Sequence, residues 1–146
     1  MQEFRDAVLA KDPEAMERTL ADDVRFTSPV AFKPYEGRHI TAAILRGVLR
    51  VMGGDDFRYE REITSPDGRD HALVFRTTLD GKEVNGCDFL HLNDEGKIDD
   101  FVVMVRPLSA AQALSAAMAA QFEQIAAEAT AAAQAEAAQQ GTATRS

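Results

Sequence analysis

Asp88 is the strongest candidate for chemistry because it lies inside the alternating segment of residues 83 to 92. If its side chain faces inward, alternation places it on the same face of the predicted strand as Leu90 and Leu92. An apolar environment disfavours a charged carboxyl group, so the pKa should be raised and the group should be neutral near pH 6. Asp88 would then donate or exchange a proton; the alternative is a structural acid that hydrogen-bonds a strand end or a loop amide.

Two further candidates precede the third predicted helix, which begins at Thr41. His39 follows Gly37 and Arg38 at a predicted helix start, where an imidazole can act as acid or base with Asp88. The alternative is a half-exposed capping residue. Tyr35, in the loop before it, is a second candidate proton donor.

The other potentially reactive side chains do not form a recognisable site. His71 and His91 are interpreted as surface or interface residues, and Cys87 has no adjacent cation that would favour a thiolate. The histidines, Cys87 and the acids show no metal-ligand spacing, and neither a Ser-His-acid set nor a Gly-rich phosphate loop is present. We therefore predict no metal and no cofactor.

The elements that position these residues change from helical to strand periodicity along the chain. An order of helices, strand, helix and then an antiparallel meander predicts an α+β domain. Helices are predicted over residues 3 to 11, 13 to 20, 41 to 52 and 109 to 125, and strands over 24 to 28, 57 to 63, 72 to 79, 83 to 92 and 98 to 106.

Composition limits the possible partners. The chain has 146 residues, a formal net charge of −8 and a single cysteine. A length of this order suits one domain, and the acidic balance disfavours nucleic acid and anionic membranes as partners. One cysteine excludes an internal disulfide and fits a reducing compartment, so we expect a cytoplasmic protein. No apolar run approaches the roughly 18 residues of a membrane span.

Three segments carry a family resemblance: ADDVRFTSPV at residues 21 to 30, EGR at 36 to 38, and CDFLHLNDEGKI at 87 to 98. With the predicted helical hairpin before them, they resemble the nuclear transport factor 2-like superfamily, which includes SnoaL-like polyketide cyclases, ketosteroid isomerase and limonene epoxide hydrolase. The resemblance implies a cone-shaped, curved antiparallel sheet wrapped on N-terminal helices, with an internal pocket and frequently a dimer across the outer sheet face. It does not imply one activity, because function depends on the pocket residues.

The resemblance to ketosteroid isomerase is incomplete at the residues that matter. Its proton-moving aspartate falls on Ser28, and its first-helix tyrosine falls on Phe4. Only Asp88 matches, at the place of the acid that stays protonated to bind the substrate oxygen. The Asp-Arg-Asp set of limonene epoxide hydrolase is not assembled either, because Arg76 falls on the opposite strand face.

These observations predict a mostly apolar pocket for a small molecule. The protein would be a proton-transfer isomerase, cyclase or lyase acting on a carbonyl compound, a non-catalytic ligand-binding protein, or an accessory subunit with a self-filled pocket. Domain boundaries are predicted at 1 to 107 for the core domain, 108 to 127 for an added helix and 128 to 146 for a frayed or disordered Ala-rich tail. The predicted ligand contacts are Phe26, Ser28, Leu73, Phe75, Thr77, Leu90, Phe101, Val103 and Val105.

An apolar outer sheet face predicts self-association. Val74, Phe89, Val102 and Met104 alternate with the predicted inward residues on three neighbouring strands. We expect a homodimer through this face, because it is too apolar to remain in water.

Overall fold

Helices cover one face of a six-stranded sheet in the computed structural model, which describes residues 1–144, with side chains for residues 1–140. The α+β class, the curved sheet and the added C-terminal helix are as predicted. The elements in chain order are α1 (Gln2–Leu9), α2 (Pro13–Arg18), β1 (Leu20–Thr27), β2 (Tyr35–Glu36), α3 (Arg38–Met52), β3 (Arg58–Thr64), β4 (Asp70–Leu79), β5 (Lys82–Leu92), β6 (Ile98–Arg106) and α4 (Leu108–Thr144).

The sheet has the order β2-β1-β6-β5-β4-β3. Strands β3 to β6 form the predicted antiparallel meander, with Asp80 and Gly81 both at positive φ in the tight turn between β4 and β5. Strand β1 pairs parallel to β6, so that Phe26 lies opposite Phe101. The sequence did not predict this pairing, because it joins segments more than 70 residues apart.

The N-terminal helices form the predicted hairpin. Asp12 accepts a hydrogen bond from the Ala15 amide at 3.1 Å and so caps α2, while Pro13 occupies the first helical position. Phe4 and Met16 are buried on the sheet side of this hairpin. Helix α3 packs beside it and supplies the other half of the helical layer.

Helix α4 differs from the predicted short helix and frayed tail, because it continues to Thr144. Leu114 and Ile125 are buried along its first half. Beyond residue 128, the alanine-rich sequence keeps the helix regular, and Glu136 forms an ion pair with Arg38 and contacts the imidazole of His39, both in α3. Residues 145 and 146 of the predicted tail lie outside the described residues. None of the described helices is both apolar and long enough to span a bilayer.

Buried side chains form two adjacent cores between the helices and the sheet. The first core surrounds Phe4, Phe26 and Phe101, whose rings meet edge to face at 5.3 to 5.4 Å between centroids. The second core, around Phe75 and Leu114, lies where α4 crosses the end of the sheet. The space between the two cores is not completely filled.

Candidate active site

A cavity of about 270 Å³ lies between the two cores and is mostly apolar. Residues of both cores line it, so it is enclosed by the sheet on one side and by helices on the other. The sheet side consists of Phe26, Tyr59, Phe75, Asp88, Phe101 and Val103. The helical side includes Phe4, Val8, Met16, Leu45, Val48, Leu49, Met52 and Leu114.

Asp88 is the buried acid of this cavity. It lies on β5 between Leu73 of β4 and Val103 of β6, so apolar side chains flank it on both neighbouring strands. Asp88 is 7 % exposed, and none of the described residues forms a hydrogen bond with its carboxyl group. Burial raises the pKa of Asp88 from the ordinary 3.8 to about 7. The carboxyl group can therefore change protonation state near neutral pH.

Tyr59 is a second polar group of the cavity, and sequence reasoning missed it. Its hydroxyl is buried and has no hydrogen-bond partner among the described residues. Burial raises its pKa above the ordinary 10.0, and the nearby charge of Asp88 raises it further. Tyr59 thus remains protonated and can act as a donor. The sequence offered one signal, because Tyr59 lies two residues after Phe57 in the alternating segment. The strand register that aligns Tyr59 with Phe75 could not be read from the sequence.

The guanidinium group of Arg5 in α1 lies over the ring of Tyr59. Its guanidinium carbon lies 5.6 Å from the centroid of the Tyr59 ring, within the range of a cation–π contact. The same guanidinium group donates to Glu62 of β3 at 2.8 Å. This pair connects α1 to β3 next to the site and restricts the orientation of the ring.

The polar residues Lys11 and Asp55 also line the cavity, at its solvent-exposed side. They form an ion pair of 3.2 Å between the turn after α1 and the loop after α3. Both side chains are largely exposed, and Leu9 beside them is half exposed. The entrance therefore lies between these two connections.

The other two predicted catalytic residues do not reach the cavity. Tyr35 is on β2, three strands from Asp88 in the sheet order, and it lines a groove against α4. His39 is in the first turn of α3, where its Nε2 contacts the Glu136 carboxylate. The continued α4 therefore gives His39 a partner far from Asp88, and the predicted set of three is not assembled.

The predicted ligand contacts divide into two groups. Phe26, Phe75, Phe101 and Val103 line the cavity. The other predicted contacts do not line the cavity; they pack or form hydrogen bonds elsewhere in the fold. Ser28 accepts from the Val30 amide, Thr77 donates to the Met52 carbonyl, Leu73 and Leu90 are in the first core, and Val105 packs on the second core.

The arrangement combines one acid that titrates near neutral pH with one hydroxyl donor inside an apolar space. The neutral acid can hydrogen-bond a carbonyl oxygen, and the ionised acid can accept a proton from carbon. Among residues 1–140, no three His, Cys, Asp or Glu side chains are grouped as metal ligands.

Comparisons with known proteins give the family context. The family model of the SnoaL-like domain matches residues 1–101. A crystal structure of a steroid delta-isomerase from Pseudomonas aeruginosa is 37% identical with a TM-score of 0.80, covering 86% of this chain and 90% of that one.

A second structure, of an uncharacterized Silicibacter pomeroyi protein with a cystatin-like fold, is 35% identical with a TM-score of 0.76 and covers 82% of each chain. An NTF2-like protein of unknown function from Cytophaga hutchinsonii is 21% identical with a TM-score of 0.58, covering 75% of this chain and 88% of that one, and shows the fold alone. Among curated proteins, none matches this chain.

Proposed function

Because this chain belongs to the SnoaL-like family of the nuclear transport factor 2-like superfamily, we propose that its cavity binds a small, mostly apolar carbonyl compound. Neutral Asp88 and Tyr59 both donate hydrogen bonds to the ligand oxygen. The apolar side chains around them bind the hydrocarbon part of the ligand.

One observation carries this proposal: the Asp88 carboxyl is buried at an apolar cavity and has no hydrogen-bond partner among the described residues. Buried polar groups without partners are rare and costly. A ligand oxygen would satisfy Asp88 and the unpartnered Tyr59 hydroxyl together. Phe4, Phe26 and Phe101 line the cavity but leave about 270 Å³ open. This open volume argues against a pocket filled by its own side chains.

The test is the pH dependence of binding, with cyclohex-2-en-1-one as the ligand. The neutral fraction of a group with a pKa of about 7 falls about tenfold between pH 6 and pH 8. We expect the affinity measured by calorimetry to fall by about the same factor, because ionised Asp88 has no proton to donate. In Asp88→Asn the affinity should not change over this range. Absence of binding, or equal pH dependence in both proteins, would contradict the proposal.

A second candidate function, proton-transfer isomerisation, is favoured by the pKa of Asp88 near 7. Ionised Asp88 would remove a proton from the carbon between the carbonyl and the double bond of cyclohex-3-en-1-one. Tyr59 would stabilise the oxygen charge, and protonated Asp88 would return the proton to the far alkene carbon, forming the conjugated enone.

This reaction has the opposite pH dependence to binding by neutral Asp88. Its rate, followed by the absorbance of the conjugated enone, should rise through pH 7 because the base is the carboxylate. Tyr59→Phe should lower the rate at least tenfold. Thr41→Val removes a different buried, unpartnered hydroxyl outside the cavity and should leave the rate unchanged. A rate no faster than in buffer would mean that the protein only binds.

A further inference from the structure

The ring of Phe75 lies directly against the backbone of Gly86. The two residues are opposite each other on β4 and β5. A Cβ atom added to Gly86 would lie 2.2 Å from Cζ of Phe75 and 2.6 to 2.7 Å from its Cε atoms. Only glycine at this position allows the ring to occupy that space, two residues along β5 from Asp88 and on the same face of the sheet.

Phe57 extends this contact into a wall. Its ring stacks on Phe75 at 5.3 Å with an interplanar angle of 22°, and it meets the Tyr59 ring edge to face at the same distance. Phe57 and Phe75, called here the aromatic wall, both line the cavity.

Helices α4 and α3 pack against the aromatic wall. Leu114 of α4 and Met52 of α3 pack in the same core as Phe75, and all three are at most 3 % exposed. Leu114 lies outside residues 1–101, which the family model matches. Helix α4 therefore contributes to this end of the cavity from beyond the segment that the family model matches.

We propose, resting on the function proposed above, that the aromatic wall restricts the ligand to carbonyl compounds of one or two small rings and excludes a four-ring steroid. Pockets for drug-sized ligands span roughly 300 to 1,000 Å³, and the cavity of 270 Å³ is below that range. Phe57 and Phe75 line this cavity, and the ring of Phe75 packs over Gly86, two residues along β5 from Asp88. A ligand held at Asp88 would meet these rings if it extended along β5 in that direction.

The test is a ligand series that keeps one functional group and changes only size: cyclohex-2-en-1-one, its two-ring fused analogue and a four-ring steroid enone. We expect the four-ring enone to bind wild-type protein at least tenfold more weakly than the one-ring enone, although its larger apolar surface would otherwise strengthen binding. Equal or tighter binding of the four-ring compound would overturn the size restriction and leave the proposed function intact. Absence of binding by all three compounds would overturn both.

Variants of Phe75 test the wall itself. Phe75→Leu and Phe75→Ala should each raise the affinity for the four-ring enone relative to that for the one-ring enone, at least tenfold in the alanine variant. The leucine variant retains most of the apolar volume and serves if the alanine variant does not fold. Phe122→Leu is the matched control, because Phe122 is half exposed on α4 away from the cavity and should leave the series unchanged. A Phe75→Leu protein that folds and shows the wild-type size preference would overturn the role of the wall.

Discussion

At the residue scale, the protonation of Asp88 links the site to the stability of the fold. Its pKa of about 7 in the folded protein exceeds the ordinary 3.8, so the unfolded chain releases this proton at lower pH than the folded chain does. Between about pH 4 and pH 7 the native state therefore binds more protons, and the free energy of unfolding falls as pH rises. About three pKa units correspond to about 4 kcal/mol at about 1.36 kcal/mol each.

Asp88→Asn should abolish this decrease in the free energy of unfolding with rising pH. We expect the free energy of unfolding in urea to be unchanged or improved relative to wild type, with the advantage growing from pH 4 to pH 8 by up to about 4 kcal/mol. Asp23→Asn changes an exposed aspartate of β1 and is the matched control for the loss of one carboxyl group. Destabilisation of several kcal/mol at all pH values would instead identify Asp88 as a structural charge partner.

At the element scale, the contribution of α4 to stability is concentrated in its first half. Ile125 is 1 % exposed, and its side chain approaches Gly47 of α3 so closely that a Cβ there would lie 2.9 Å from its Cδ1. We expect Ile125→Ala to lower the free energy of unfolding by about 2 to 5 kcal/mol, because it leaves a cavity between α3 and α4. Phe122→Ala, at a half-exposed position of the same helix, should cost less than about 1 kcal/mol.

Truncation after Thr130 tests the second half of α4. It removes the ion pair of Glu136 with Arg38 and its contact with His39, whose side chains are about a third exposed. Partly exposed ion pairs contribute little, so the melting temperature should stay within a few degrees of wild type. A drop similar to that of Ile125→Ala would show that this segment is a required part of the helical layer.

At the scale of the whole molecule, the outer sheet face is the surface that we expect to form a homodimer. Val74, Cys87 and Met104 form one row across β4, β5 and β6, and Phe89 and Val102 belong to the next row. Phe89 is 41 % exposed and Met104 58 % exposed, so the patch combines apolar character with access. A contiguous exposed apolar patch of this kind is unfavourable in water.

Light scattering at tens of micromolar should therefore give the mass of a dimer. Met104→Glu should shift the protein to the monomer, since it places a charge in the expected interface. Phe32→Glu is the control, because Phe32 is fully exposed but lies in the loop between β1 and β2. A monomeric wild-type protein would contradict the expected interface.

The local pattern of the sequence determined the elements and the face of Asp88. Strand alternation depends on the residue itself, so it correctly placed Asp88 beside Leu90 and opposite Cys87. The Asp12 cap and the turn at Asp80 and Gly81 are likewise short-range effects. The family followed from motifs along residues 21 to 98, because their order and spacing reflect the fold as a whole.

Only the tertiary structure decided which side chains meet at the cavity. Tyr59 enters the site through the register of β3 on β4, and Tyr35 is excluded because β2 is at the far edge of the sheet. His39 contacts Glu136 instead of the cavity, and Glu136 lies 97 positions later in the chain. Sequence periodicity states which face a side chain occupies, but neither how far apart two strands lie nor what covers their ends. These distances follow from long-range pairing and helix packing, which no local pattern contains.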